Sequence, residues 1–125
     1  MRHRLVILSA ATAACATPAQ EGRLFRQDIA AVSRFHVADA SAQSTDVFAE
    51  LSGGTTCRGR ISRTDAVDMS VGPAEDRTVT SDGGVGVLVC SSNTVLRCRL
   101  VHRYANSYAY GECTDQSGVK YTVVF

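Results

Sequence analysis

Five cysteines, three histidines and a series of arginines are the residues here with the reactivity or charge to do chemistry. Cys57, Cys90, Cys98 and Cys113 form an even set with no CxxC pair among them. Neither His36 nor His102 stands at ligand-like spacing from a cysteine. Disulfides are therefore expected and a zinc site is not. His102 falls in a β-patterned stretch, with Ser107, Asp115 and Ser117 downstream as hydroxyls and acid. A general base needs a nucleophile and an orienting acid beside it in space, and no spacing singles these residues out. Arg58, Arg60, Arg63, Arg97, Arg99 and Arg103 cluster near the cysteines, several alternating with apolar positions. That is the pattern of a solvated sheet face; its functional counterpart is a site for an anionic glycan or phosphate.

The sequence carries no GxSxG, HExxH, P-loop or dinucleotide fingerprint. Gly83-Gly84-Val85-Gly86 is glycine-rich, but a strand pattern follows it, so no helix N-terminus is offered to a phosphate and a tight turn is expected. Asp65-Ala66-Val67-Asp68 and Glu75-Asp76 lack the spacing of a calcium loop and read as solvated charge. No catalytic residue, cofactor or metal is assigned, and the chain is not expected to be an enzyme. Thirteen basic residues against twelve acidic ones argue against nucleic acid held by bulk charge.

The fifth cysteine belongs to a different story. Met1-Arg-His-Arg4 is a basic start, and Leu5 to Ala14 is an apolar, small-residue run of ten. A bilayer-spanning helix needs about 20 apolar residues, so this run reads as a secretory signal. Thr12-Ala13-Ala14-Cys15 resembles a bacterial lipobox, with Thr12 where that pattern favours Leu. The resemblance implies a small bacterial lipoprotein: cleavage of signal peptide 1–14, lipidation of Cys15 and a membrane attachment. Ala16 resembles the outer-membrane sorting choice, which would place the protein on the periplasmic face of the outer membrane. An ordinary cut after Ala14-Cys15-Ala16 also fits and would give a soluble periplasmic or secreted protein. Either cut leaves four cysteines for two disulfides. Loss of Arg2 and Arg4 turns the formal charge from +1 to −1.

Residues 15–22 then read as lipidated cysteine and tether, and 23–125 as one disulfide-stapled domain. Phe25, Ile29, Val32 and His36 recur at i, i+4, i+7 and i+11, which predicts an N-terminal amphipathic helix over 23–36. Over 44–51 a short helix closed by a left-handed Gly53 and a strand are both compatible with the residues. From Thr55 on, eleven of fifteen valines fall at or after Val67, punctuated by Gly72-Pro73, Asp82-Gly83-Gly84, Ser91-Ser92-Asn93 and Asp115 to Gly118. The expected fold is mainly β, a small antiparallel meander or barrel-like sheet.

One register suits the C-terminal strands. Cys98 opposite Cys113 sets Leu100 against Gly111, His102 against Ala109 and Arg99 against Glu112. Pairing 107–113 with 119–125 then sets Tyr121 on Gly111, Val119 on Cys113 and Lys120 on Glu112. Leu96, Leu100, Tyr121 and Val123 share one face, and Arg99, Glu112 and Lys120 form a charge ladder on the other. Cys57 is left for Cys90; a Cys90–Cys98 bridge across the intervening turn is the alternative.

Gly111, Gly118, Tyr121 and Phe125 are similar in spacing to one MORN hairpin repeat, which implies a hairpin only. Ser117-Gly118-Val119-Lys120-Tyr121 is similar to the SGxxY segment of the membrane-bound C-type lysozyme inhibitors. That resemblance implies a β-barrel lipoprotein with Ser117 and Lys120 meeting the carboxylates of a lysozyme. It covers five residues, and that family's second motif is absent. Ser117, Lys120, Tyr121 and Arg99 are the resulting partner-binding candidates. The expected role is a non-enzymatic envelope component with a protein partner; a lysozyme inhibitor and a small envelope hydrolase are the alternatives. A binding domain should show an exposed apolar or arginine patch once folded.

Overall fold

A two-residue alternation of buried and exposed positions runs through nearly every segment, and it produces strands throughout. The computed structural model describes residues 19–29, 31–71 and 77–125. The segment expected as a signal peptide, Cys15, Gly72-Pro73 and Glu75-Asp76 lie outside the described residues. Eight strands follow in order: β1 (Gln20–Arg26), β2 (Val32–Val37), β3 (Ser44–Glu50), β4 (Thr56–Val71), β5 (Arg77–Cys90), β6 (Val95–Tyr104), β7 (Ser107–Asp115) and β8 (Lys120–Val124). Each pairs antiparallel with the next, and β8 returns to β1, closing a barrel.

The helix expected over 23–36 is replaced by the β1–β2 hairpin. The decisive period is two: Gly22 and Leu24 on β1, and Phe35 and Val37 on β2, point inward. Phe25, Ile29 and Val32, which mimic a helical face, are all exposed. The connecting residues 27–31 contain neither Gly nor Pro, so the sequence gives no turn signal there. β1 also takes up residues 20–22, which the sequence places in the tether. Residues 44–50 form a strand, and the left-handed backbone falls at Gly53 (φ 91°) and Gly54 (φ 83°) in the turn after it.

Asp82-Gly83-Gly84 and Gly86 do not turn the chain; they lie inside β5. A side chain on Gly86 would run into the carbonyl oxygen of Arg60, and one on Gly83 into that of Leu100. Absent side chains let β5 press against both neighbours while the sheet curls shut.

The β6–β7 register is as expected from Cys98–Cys113 to Leu100–Gly111; a bulge after Val101 then sets His102 opposite Tyr108 instead of Ala109. The β7–β8 register is displaced by two residues: Tyr121 faces Cys113, Val123 faces Gly111 and Lys120 faces Thr114. An even displacement keeps every side chain on its face, so Tyr121 and Val123 remain inside while Thr122, not Lys120, stands opposite Glu112.

Leu24, Phe35, Ile61, Leu88, Leu96 and Leu100 fill the interior. An eight-stranded barrel is just wide enough for side chains to do so. Both disulfides lie inside the barrel, Cys57–Cys90 joining β4 to β5 and Cys98–Cys113 joining β6 to β7. With sequence separations of 33 and 15, loop-closure entropy assigns each about 3–4 kcal/mol. Such bonds form in oxidising, exported compartments. The distal β4–β5 hairpin, beyond a bulge between Thr64 and Val67, lies over the outer side of β6. There Val67, Met69 and Val101 make a second apolar cluster, and Arg99 donates to the Asp68 carbonyl at 2.9 Å.

Candidate functional site

The outer surface of β4, β5 and β6 is built by the positions that alternate with the core. Gly86, Leu88 and Cys90 turn inward, so Val85, Val87 and Val89 turn outward, 40%, 46% and 61% exposed. Three β-branched residues in a row suit a strand, yet among the described residues no other element covers them. Arg58 on β4 faces Val89, and Arg60 faces Val87. On the other flank Arg97 faces Val87, and Arg99 faces Val85. An aliphatic row is thus bracketed by four exposed guanidiniums.

The four are not equivalent. Arg60 donates to Asp46 at 2.7 Å, and Arg99 reaches Glu112 at 3.4 Å as well as the Asp68 carbonyl. Arg58 lies over the ring of Phe48, 5.3 Å from its centroid. Among the described residues, neither Arg58 nor Arg97 has a carboxylate partner. The wall therefore carries two arginines that no carboxylate among the described residues neutralises.

The barrel end at which β1 starts is closed by side chains. The ring of His102 stacks on that of Tyr108, and its Nε2 lies 3.3 Å from the Ala40 carbonyl. Its Nδ1 is buried without a hydrogen-bond partner among the described residues. Burial pulls the imidazole pKa down, assisted by the charge of Arg63; the Ala40 carbonyl and Asp82 act the other way. Arg63 donates to the Ser41 carbonyl at 3.2 Å, so Arg63 and His102 together fasten the β2–β3 loop over the barrel mouth. The side-chain amide of Gln20 bonds both backbone groups of Tyr108, locking β1 onto β7. An open cavity of about 330 Å³ beside His102 is lined by Ser81, Asp82, Arg63, Arg103 and Tyr104. Asp115, the last residue of β7, and Ser117, in the β7–β8 turn, are at the opposite end, where the Asp115 carboxylate accepts from the Ser117 and Val119 amides.

The sequence-derived partner residues are not brought together as a set. Ser117 is exposed and shares an open depression of about 420 Å³ with Lys120, Gln27 and Asp28. Tyr121 points into the core, 8% exposed, and Arg99 belongs to the β4–β6 wall. A second outward apolar group, Phe25 and Val124, borders a depression of about 540 Å³ with Glu21, Arg23, Arg34 and Phe125. The valine row was not singled out in the sequence; its signal is the alternation of Val85, Val87 and Val89 with Gly86, Leu88 and Cys90.

Comparison with protein-family models, curated proteins and solved structures returns no match to this chain.

Proposed function

We propose that this chain is an exported, lipid-anchored envelope domain with a non-enzymatic binding role, and that the β4–β6 wall is its contact surface. The observation that carries the reading is the bracketing of Val85, Val87 and Val89 by Arg58, Arg60, Arg97 and Arg99. Exposed aliphatic side chains in a row cost solvation, and an interaction surface accounts for them. The interior is packed with side chains and two disulfides, which favours binding on the outside of the barrel. At His102 the Nε2 faces a backbone carbonyl and the ring lies against Tyr108, an arrangement suited to closing the barrel mouth.

The test is a photo-crosslinking residue placed at Val87 in intact cells, compared with the same residue at Val32. Val32 is 58% exposed and lies on a different wall. A discrete adduct from Val87 alone is expected. Adducts of equal yield from both positions, or none from Val87, overturn the reading.

The depression shared by Ser117, Lys120, Gln27 and Asp28 supports a second reading, inhibition of a lysozyme. It opens at the end away from the start of β1, where a tethered protein would present it outward.

A further inference from the structure

We infer that the partner of the β4–β6 wall is an acidic protein surface, with aliphatic side chains between its carboxylates, that meets the barrel from the side. This rests on the reading of that wall as the contact surface and adds what covers it.

Charge complementarity carries the first step. Strands lie about 4.8 Å apart, so the β4 and β6 backbones that carry the arginines flank the valine row at roughly 10 Å from each other. Alternate residues along β5 recur about every 6.8 Å, the spacing of alternate side chains on any extended segment. Arg58 and Arg97 stand diagonally across that row without carboxylate partners among the described residues. A surface with aliphatic residues at its centre and carboxylates at its margins would bury the valines and pair both cations.

Three other occupants fit less well. A second copy docked through the same wall about a two-fold axis would set arginines against arginines. A sugar surface is best met by aromatic rings, whereas among the described residues none stands opposite these valines on β4 or β6, and Phe48, one strand further out on β3, already lies under Arg58. The bilayer that holds the anchor is disfavoured by reach. In the closed order β5 is four strands from β1, on the opposite side of the barrel. Eight tilted strands make a barrel about 25 Å wide with its side chains. From Cys15 to Gln20 the chain spans at most about 18 Å fully extended. A Cys15-anchored barrel therefore rests more readily on its β1 side or its β1-start end than on β5, which turns the wall away from that bilayer or to its side. Three strands over three alternate positions make a small contact, at the weak and transient end of protein interfaces.

The test titrates the purified mature domain with a soluble peptide alternating valine and glutamate, read by backbone amide NMR. Saturable shifts at Val85, Val87 and Val89 are expected, weakening several-fold between 50 and 200 mM salt. Arg58→Glu with Arg97→Glu should raise the Kd at least tenfold, while Arg58→Lys with Arg97→Lys should stay within threefold of wild type. A valine–lysine peptide that binds equally, or shifts confined to another wall, overturns the inference. Protection of the wall by phosphatidylglycerol vesicles, or a dimer in sedimentation that Arg97→Glu leaves intact, overturns it in favour of a lipid or a second copy. A Val87 adduct in cells without charge preference in the titration removes the acidic partner alone. No Val87 adduct removes the contact-surface reading beneath it.

Discussion

The imidazole of His102 lies against the ring of Tyr108, their centroids 4.1 Å apart and their planes 14° from parallel. Burial lowers the His102 pKa, and its Nδ1 has no acceptor among the described residues for the proton it would gain. The unfolded chain, with an ordinary histidine value near 6.5, therefore binds that proton more tightly than the folded one. Stability is full above about pH 6.5, falls as pH drops below it, and levels off once the pH is below the folded value. Tm measured from pH 8 to 5 should decline through this window. His102→Phe, which keeps a ring against Tyr108, should decline less. Parallel profiles for the two proteins would show that His102 is not the titrating group.

The disulfides staple adjacent strands and should act separately. Replacing Cys57 and Cys90 together, or Cys98 and Cys113 together, by Ser should each cost about 3–4 kcal/mol by urea denaturation. The loss should be slightly greater for Cys57 with Cys90, which close the longer loop. A change under about 1 kcal/mol for either pair would mean that the bridge does not constrain the unfolded chain.

Glycines inside β5 make a sharper test of the architecture. Gly86→Ala should destabilise by about 1–3 kcal/mol, because the added carbon meets the Arg60 carbonyl oxygen and the Ile61 side chain. Gly53→Ala meets nothing within 4 Å, and its cost of about 1–2 kcal/mol should come from the left-handed backbone alone. Urea midpoints separate the two if Gly86→Ala is also accompanied by weakened exchange protection of the β4–β5 amides. Unchanged protection there would show that the strands accommodate the methyl group.

These glycines also mark where the sequence stops being readable. From Cys98 to Leu100 the cross-strand partners follow from the residues, because a disulfide and an Arg99–Glu112 pair agree on opposite faces. Beyond that, face and register separate: a two-residue displacement of β8 leaves Tyr121 and Val123 inside, so alternation alone cannot distinguish the two pairings. Gly83-Gly84 has the composition of a turn, and only the closure of the barrel makes it a strand. Phe25, Ile29 and Val32 imitate a helical face because two exposed strand residues and a turn residue happen to share its spacing. The β4–β6 wall was half legible: the alternating arginines mark an outer sheet face, but the charge left unpaired depends on Asp46 and Glu112, which lie on β3 and β7.

The exposed Ser117 and half-buried Lys120 give the lysozyme reading a direct test. If the β7–β8 turn occupies a lysozyme cleft, stoichiometric protein should abolish lysozyme activity, and Lys120→Ala should restore most of it. Tyr121 is packed in the core, so Tyr121→Phe should leave inhibition unchanged. Full lysozyme activity in excess wild-type protein ends that reading without touching the wall.

Anchoring can be tested independently of any partner. Metabolic labelling with a palmitate analogue should mark the wild-type protein and not Cys15→Ala. One acyl chain alone holds a protein only marginally to a membrane, and a second or third holds it firmly. Wild type should therefore remain with the membrane fraction through a salt wash that releases Cys15→Ala. Because β1 begins at Gln20, the anchored barrel should also sit with its Gln20–Phe125 end nearest the bilayer. A fluorophore at Ala105, in the β6–β7 turn at that end, should be quenched by lipid-borne quencher more than one at Ser92 in the β5–β6 turn at the other. Equal labelling of wild type and Cys15→Ala would sink the lipobox. Equal quenching at both ends in a labelled protein would show that the tether does not orient the barrel, and would remove the reach argument that turns the β4–β6 wall away from the bilayer or to its side.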